Sequence, residues 1–340
     1  TYMESATHVT PDRPVYLDAF LEDAIELDVD ALCDTEECYV GSVLEHIEEC
    51  GIHSGDSACC WPPFSLSEKI VDQIRAITKK LALACGIRGL LNIQYAVRDE
   101  HVFVIELNPR ASRTVPFSSK ATGVSLAKYA SRIMAGEKIS ELRAQGLLPD
   151  ENRTVDYYAV KEAVMPWSRF PGADSILGPE MKSTGEVMGI ARTFPAAYAK
   201  TREAVENKLP EQGSVFISVC DRDKRAIAPV AMALENLGYG IYTTGGTAKT
   251  LRAAGIDCTT VNRISDGHPN VVDLMRDKTV SFIINTPHGH EAHSDGTKMR
   301  AEAVSQGITC VTAMSAATAL IQALAAARKS EPETFALQDL

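Results

Sequence analysis

The sequence predicts an α/β protein in two parts, an α+β part followed by a part built on a parallel sheet. Three observations carry this. The 340 residues exceed what one hydrophobic core usually holds. Before "LPEQG" (Leu209 to Gly213), strand-like runs are joined by short turns. After it, strand-like and helix-like runs alternate, the rhythm of βαβ units.

The elements follow in order. "VYLDAF", "AIELDVDAL" and "CYVGSVLEHI" read as strands, with a turn at Thr35-Glu36-Glu37, and "GIHSGDS" as a loop. "SLSEKIVDQIRAITKKLALACG" reads as a helix. Ser67 is in N-cap position, apolar residues recur at Ile70, Ile74, Ile77 and Leu81, and Gly86 ends the run. Two strand-like runs flank Arg98-Asp99-Glu100-His101 as a hairpin. "VSLAKYASRIMAGE" reads as a helix closed near Gly136. Residues 154–190 are strand-like and loop stretches, and "TFPAAYAKTREAVENK" is helical. Beyond the boundary, "SVFISV", "GIYTTGG", "VSFIINT" and "TCVTA" read as strands between helices such as "RAIAPVAMALENLGY" and "SAATALIQALAAAR". The expected division is 1–208, 209–328 and a frayed tail 329–340.

Composition narrows the function. Hydrophobic residues at 45% and charged residues at 23% are ordinary for a globular protein. No apolar run approaches the ~18 residues that span a bilayer. A net charge of −11, without a basic stripe, speaks against nucleic acid as a partner. Nine cysteines, without C-x-x-C, suggest a reduced, cytoplasmic protein that uses cysteine as a small apolar residue. The opening "TYMESATHVTPDRP" has no secretory pattern and no initiator Met, so a fragment or processed product is expected.

The stretch "VIELNPRASRT" (Val104 to Thr114) carries the most chemistry. Residues two apart on a strand share a face, so Glu106 and Asn108 point the same way. With a three-residue hairpin turn, Gln94 lies opposite Glu106 and Asn92 opposite Asn108. A two-residue turn moves Gln94 to the other face. The first case gathers a carboxylate and amide oxygens, which suit Mg²⁺. Arg110 and Arg113 follow, and paired guanidiniums suit anionic oxygens. Metal beside arginines is equipment for phosphoryl transfer. The bland reading is a polar edge residue, Glu106, salt-bridged to a nearby Arg.

"VIELNPRASRTVPFSSKATGVSLAKYASRIMAG" closely resembles the ATP-grasp core of the carbamoyl-phosphate synthetase large chain, in its second synthetase half. The resemblance extends through "EHIEECGIHSGDSACCWPPFSLS" and "FPGADSILGPEMKSTGEVMG". It continues into a domain similar to methylglyoxal synthase, allosteric in this family. It implies Gln94, Glu106 and Asn108 as metal ligands bridging nucleotide phosphates, and Arg110 and Arg113 near the transferred phosphate. Glu26 resembles the acid near the ribose and a monovalent-cation site. His53 and Ser54 resemble nucleotide contacts, against a loop cap and an ST-turn as the bland readings. ATP, Mg²⁺ or Mn²⁺, and K⁺ are the implied cofactors. The implied partners are a glutaminase small chain and the rest of the large chain. The family's first nucleotide lobe, with its Gly-rich turn, has no counterpart here, so roughly half an active site is expected.

In the second part, Ser218 ends a strand, Lys224 follows it, and "YTTGGTAKTL" ends another strand at a helix start. Hydroxyls, glycine amides and a helix N-terminus make an anion site; a turn with an N-cap is the equal alternative. The resemblance implies Ser218, Lys224, Thr244, Thr247 and Asn285 as a monophosphate-effector pocket of UMP/IMP type, with Arg263 where Lys is common. Pro287 stands where a hydroxyl is common, which puts the effector's identity in doubt. Active methylglyoxal synthase, which needs acids in "GGD" and "DP" motifs, is disfavoured: "SDGHPN" is altered and "INTPHG" lacks the Asp. "HGHEAH" (His288, His290, His293) offers zinc ligand types but reads as a loop. Glu48, Asp56, Glu162 and Thr312 match positions that bind ornithine in some members.

The leading expectation is therefore phosphorylation of carbamate by Mg-ATP, serving arginine or pyrimidine synthesis. The competing one is a catalytically incomplete module that only senses nucleoside monophosphates.

Overall fold

The structure, a computed structural model, describes residues 19–170, 172–205, 210–286, 295–329, 333–334 and 336–339. Two sheets organise it. The first is seven-stranded and antiparallel throughout. Its strands are β1 (Ile25–Asp34), β2 (Cys38–His46), β3 (Cys59–Trp61), β4 (Arg88–Arg98), β5 (His101–Asn108), β6 (Tyr158–Val164) and β7 (Gly185–Ala191). Their order is β5-β4-β1-β2-β3-β6-β7.

Alternation along β1 divides its two faces. Leu27, Val29, Ala31 and Cys33 meet Leu91, Ile93 and Tyr95 of β4 under helix α1 (Glu68–Ala84). Helix α1 presents Ile70, Val71 and Ile74 to that core, with Ile77 and Leu81 partly buried, and Gly86 leaves it in the left-handed region. Ser67 is the N-cap residue, though its side chain makes no capping hydrogen bond. The opposite face of β1 carries Glu26, Asp28 and Asp30. At its far end Leu32 packs on α2 (Val115–Thr122) and α3 (Leu126–Met134). The short helices α2 and α4 (Ile139–Ala144) were not foreseen, because one or two turns show too little periodicity. Helix α5 (Phe194–Ala204) closes this unit.

The second sheet is parallel, ordered β10-β9-β8-β11-β12. Its strands are β8 (Ser214–Ser218), β9 (Gly240–Thr244), β10 (Thr259–Val261), β11 (Phe282–Asn285) and β12 (Thr309–Val311). Helices alternate with them: α6 (Lys224–Asn236), α7 (Gly245–Ala253), α8 (Val271–Arg276), α9 (Asp295–Gln306) and α10 (Met314–Ala327). Residues of α6, α7 and α10 share one core, and residues of α8 and α9 pack in another. This is the doubly wound arrangement the alternation predicts.

Helix α10 joins the two units. Ala317, Leu320, Ile321 and Leu324 belong to the second core. Ala316, Ala319 and Ala323 pack with Phe194, Ala197 and Tyr198 of α5. Methyl-sized side chains let the two helices approach closely, and a helix buried on both sides has to be apolar nearly all round.

Candidate functional site

The hairpin between β4 and β5 is tighter than the oxygen cluster requires. Arg98 pairs with His101, leaving a two-residue turn of Asp99 and Glu100, with φ of 49° and 62°. That turn alone would put Gln94 opposite Ile105. A β-bulge corrects it: Tyr95 pairs with Val104 but Gln94 pairs with Glu106, so Ile105 is the extra residue. Asn92 pairs with Asn108. The expected alignment exists, reached by a two-residue turn plus a bulge instead of a three-residue turn. Asn108 Nδ2 donates to Glu106 Oε1 at 2.7 Å. One carboxylate with amide oxygens on an open strand edge fits Mg²⁺, which keeps waters and takes phosphate oxygens.

Beside these side chains, on the neighbouring strand β1, lies a buried polar row that sequence reading missed. Asp28 pairs in register with Gln94 and Asp30 with Asn92, and both aspartates are 0% exposed. Asn92 Nδ2 donates to Asp28 Oδ1 at 2.9 Å and Asp30 Oδ1 at 3.1 Å, so its amide orientation is fixed. Asp30 also accepts from Ser112 Oγ (2.6 Å), Thr114 Oγ1 (2.7 Å) and Ser118 Oγ (2.8 Å). Ser112 and Thr114 flank Arg113, so one carboxylate holds both the Asn92 amide and the loop bearing Arg113. Burial raises the Asp30 carboxyl, against the lowering effect of its hydroxyl partners. Burial would raise Asp28 too, but His46, bonded at 2.8 Å, and Asn92 outweigh it and bring it below its ordinary value. The signal was the acidic alternation Glu26, Asp28, Asp30 in "IELDVDAL".

Glu26 is 5% exposed; it accepts from Gly51 N at 2.8 Å and from Gln94 Nε2 at 3.4 Å. The loop after it is well held. Gly55 N donates to His53 Nδ1, and Lys161, 1% exposed, donates to Ser54 O at 2.8 Å. Arg110 reaches back to Asn108 Oδ1 at 3.3 Å. The eight residues Glu26, His53, Ser54, Gln94, Glu106, Asn108, Arg110 and Arg113 line one cleft of about 1130 Å³. Its apolar wall includes Val104 and Ile105, which are 46% and 49% exposed on edge strand β5.

A second constellation sits at the carboxyl ends of β8, β9 and β11, where the strand order reverses. Ligands bind at such switch points in open α/β sheets. Ser218 Oγ lies 3.3 Å from Thr244 Oγ1, Val219 N donates to Thr247 Oγ1 at 3.4 Å, and Asn285 Nδ2 donates to Ser218 O at 2.8 Å. Lys224 opens α6 and pairs with Asp221. Arg263 is exposed and follows β10, one strand beyond Thr244. Thr286, not foreseen, accepts from Cys220 N at 3.0 Å. Pro287, His288, His290 and His293 lie outside the described residues.

Of the acids matched to an amine site, Glu48 and Glu162 come together. Thr201 donates to Glu162 at 2.9 Å and Arg202 pairs with it. Burial, then the Glu162 charge, pushes the Glu48 carboxyl up to about 7. Thr312 adjoins Ala313, which packs in the same cluster as Ile47. Asp56 is 2% exposed and spends its two oxygens on Lys182 N and Ser183 N, at 2.8 Å each.

Residues 1–142 match the family model described as the carbamoyl-phosphate synthase L chain, ATP binding domain, and residues 226–312 match the MGS-like domain. The carbamoyl phosphate synthase large chain of Acidobacterium capsulatum is 46% identical over 338 residues, covering 99% of this chain and 31% of that protein. Those of Micrococcus luteus (48% over 353 residues; 99% and 32%) and Pasteurella multocida (46% over 340 residues; 100% and 31%) are similar. The chain thus spans about a third of the length of the curated relatives it matches.

Proposed function

We propose that this chain, which belongs to the carbamoyl-phosphate synthase large-chain family, binds the Mg²⁺ complex of ATP in the cleft on β4 and β5 and supports phosphorylation of carbamate. The observation that carries this is the bulge-corrected alignment of Gln94 with Glu106 and Asn92 with Asn108, under two arginines. A bound Mg²⁺ would draw charge from the phosphate oxygens. Glu106, Gln94 and Asn108 would hold it. Arg110 and Arg113 would meet the anionic oxygens of the transferred group, and Val104 and Ile105 give the base an apolar wall. Glu26 and the loop of His53 and Ser54 close the opposite side; with Glu26 they are also where a K⁺ ion would sit. Phosphoryl transfer asks mainly for such positioning and charge neutralisation.

The second constellation would hold a nucleoside monophosphate, its phosphate taken by Ser218, Lys224, Thr244 and Thr247 at the start of α7. Glu48 and Glu162 would take a cationic amine of ornithine type: Arg202 offsets one carboxylate and leaves the raised Glu48 for a ligand's charge. A glutaminase chain and further segments of a large chain are the expected partners.

Calorimetry of MgADP tests the first claim. Binding is expected in the native chain and is expected to vanish in Glu106→Gln. In a second assay, with the remaining large-chain segments present, ATP should form from MgADP and carbamoyl phosphate, and Arg113→Ala should abolish it. Monophosphate binding with no Glu106-dependent MgADP binding would favour the purely regulatory module.

A further inference from the structure

Arg300 of α9 is 4% exposed, and its guanidinium is shared between the two units. Nη1 donates to Asn285 Oδ1 at 2.9 Å, at the end of β11. Nε and Nη2 grip the Asp174 carboxylate at 2.5 and 2.7 Å, a bidentate pair. Asp174 lies between β6 and β7 of the antiparallel unit. Its burial would raise the carboxyl, but Arg300 and the Ile176 amide hold it below its ordinary value.

The segment that starts at Asp174 is fastened just as firmly to the nucleotide cleft. His53 N donates to Gly178 O at 2.9 Å. Lys182 N and Ser183 N donate to Asp56, and Ser183 Oγ donates to Gly55 O at 3.1 Å. The two loops are so close that a Cβ on Gly55 would lie 3.0 Å from Met181 Sδ. His53, Ser54 and Pro179 line the cleft itself. A continuous set of polar contacts therefore runs from Ser218 and Asn285 through Arg300 and Asp174 to His53.

We propose that Arg300 couples the two sites. A nucleoside monophosphate at the ends of β8, β9 and β11 competes for Asn285 and for the Arg300 charge. The grip on Asp174 changes with it, and residues 174–183 carry the change to His53 and Ser54. This rests on the reading of both clefts given above. It also explains the use of arginine: its planar fork grips the carboxylate bidentately while a further N–H serves the amide, a fixed geometry that a lysine ammonium lacks.

Binding free energies couple reciprocally, so calorimetry can read the coupling from either side. The probes are uridine 5′-monophosphate and MgADP, each titrated with and without the other at saturation. The native chain should show a change in affinity of at least about fivefold, equal in both directions. Asp174→Asn keeps the side chain's size and removes its charge; it should bring that factor to within about 1.5-fold of unity, with each separate affinity little changed. Arg300→Lys should likewise bring the factor close to unity, whatever it does to monophosphate affinity itself, and guards against a fold defect in either variant. Amide exchange over residues 176–183 should respond to the monophosphate in the native chain and not in Asp174→Asn. Native coupling retained in both variants would overturn the proposal. So would two ligands that bind the native chain without affecting each other, although the monophosphate site would then stand. No monophosphate binding beside normal MgADP binding would remove the effector site and the proposal together.

Discussion

The two regions proposed to bind anions are built on opposite plans. On the antiparallel sheet, the groups that would meet metal and phosphate are side chains held in register across β4 and β5. On the parallel sheet, they gather at the ends of β8, β9 and β11 and at the start of α7, a position set by strand order. The first plan is sensitive to a single residue of register, since a slip by one turns every side chain to the other face. The second depends on topology and is tolerant of small shifts along any one strand. Charge follows the same division. The first region sets Asp28 and Asp30, fully buried, beside Gln94 and Asn92, while the second offers hydroxyls and one lysine.

The sharpest way to break the comparison is to delete Val104 and Ile105 together. Removing Ile105 alone would only erase the bulge and leave Glu106 opposite Gln94; removing both brings Glu106 opposite Tyr95, so that Glu106 and Asn108 turn to the opposite face. MgADP binding should disappear, while uridine monophosphate binding by the second unit stays within about twofold, a factor that also certifies the fold. Asp30→Ala should come next. Three hydroxyls lose their carboxylate acceptor and the Asn92 amide keeps only Asp28, so stability should fall by about 1–3 kcal/mol in urea unfolding. Affinity for Mn²⁺-ADP should fall about 10-fold, because Asp30 orders the loop that carries Arg113 and Asn92, the cross-strand partner of Asn108.

The proposed amine site gives a pH test. The Glu48 carboxyl is raised in the folded chain to about 7, from an ordinary value of 4.5. Its contribution to stability is therefore present below the unfolded value and lost as pH rises through about 7. A bound cation favours the charged carboxylate, so binding releases a proton in that window. Ornithine affinity should rise up to about tenfold per pH unit between roughly 5 and 7 and level off above. In Glu48→Gln it should be weak and flat. The smallest effect belongs to the tolerant plan. Thr244→Ala removes one hydroxyl from a site with several donors, and should weaken uridine monophosphate by about fivefold, near 1 kcal/mol.

Much of this was legible in the sequence. Strand and helix alternation after Gly213 gave the parallel unit, and the apolar spacing from Ile70 to Leu81 gave α1. All eight residues expected at the nucleotide site line one cleft. Three things escaped, for physical reasons. The bulge is invisible because Ile105 is a good strand residue, with neither glycine nor polar side chain to mark an irregularity. Asp28 and Asp30 look like solvent-facing positions until β4 and the loop of Ser112 are placed over them. Arg300 and Asp174 are 126 residues apart, so no local pattern could join them.

The register of β4 and β5 is the central claim, and anomalous scattering from Mn²⁺ in crystals grown with ADP tests it most directly. The expected peak lies on the β4–β5 face, about 2.1 Å from Glu106 oxygen, with Gln94 or Asn108 beside it and the phosphates completing the shell. A peak elsewhere, with Glu106 and Gln94 turned apart, would contradict the account.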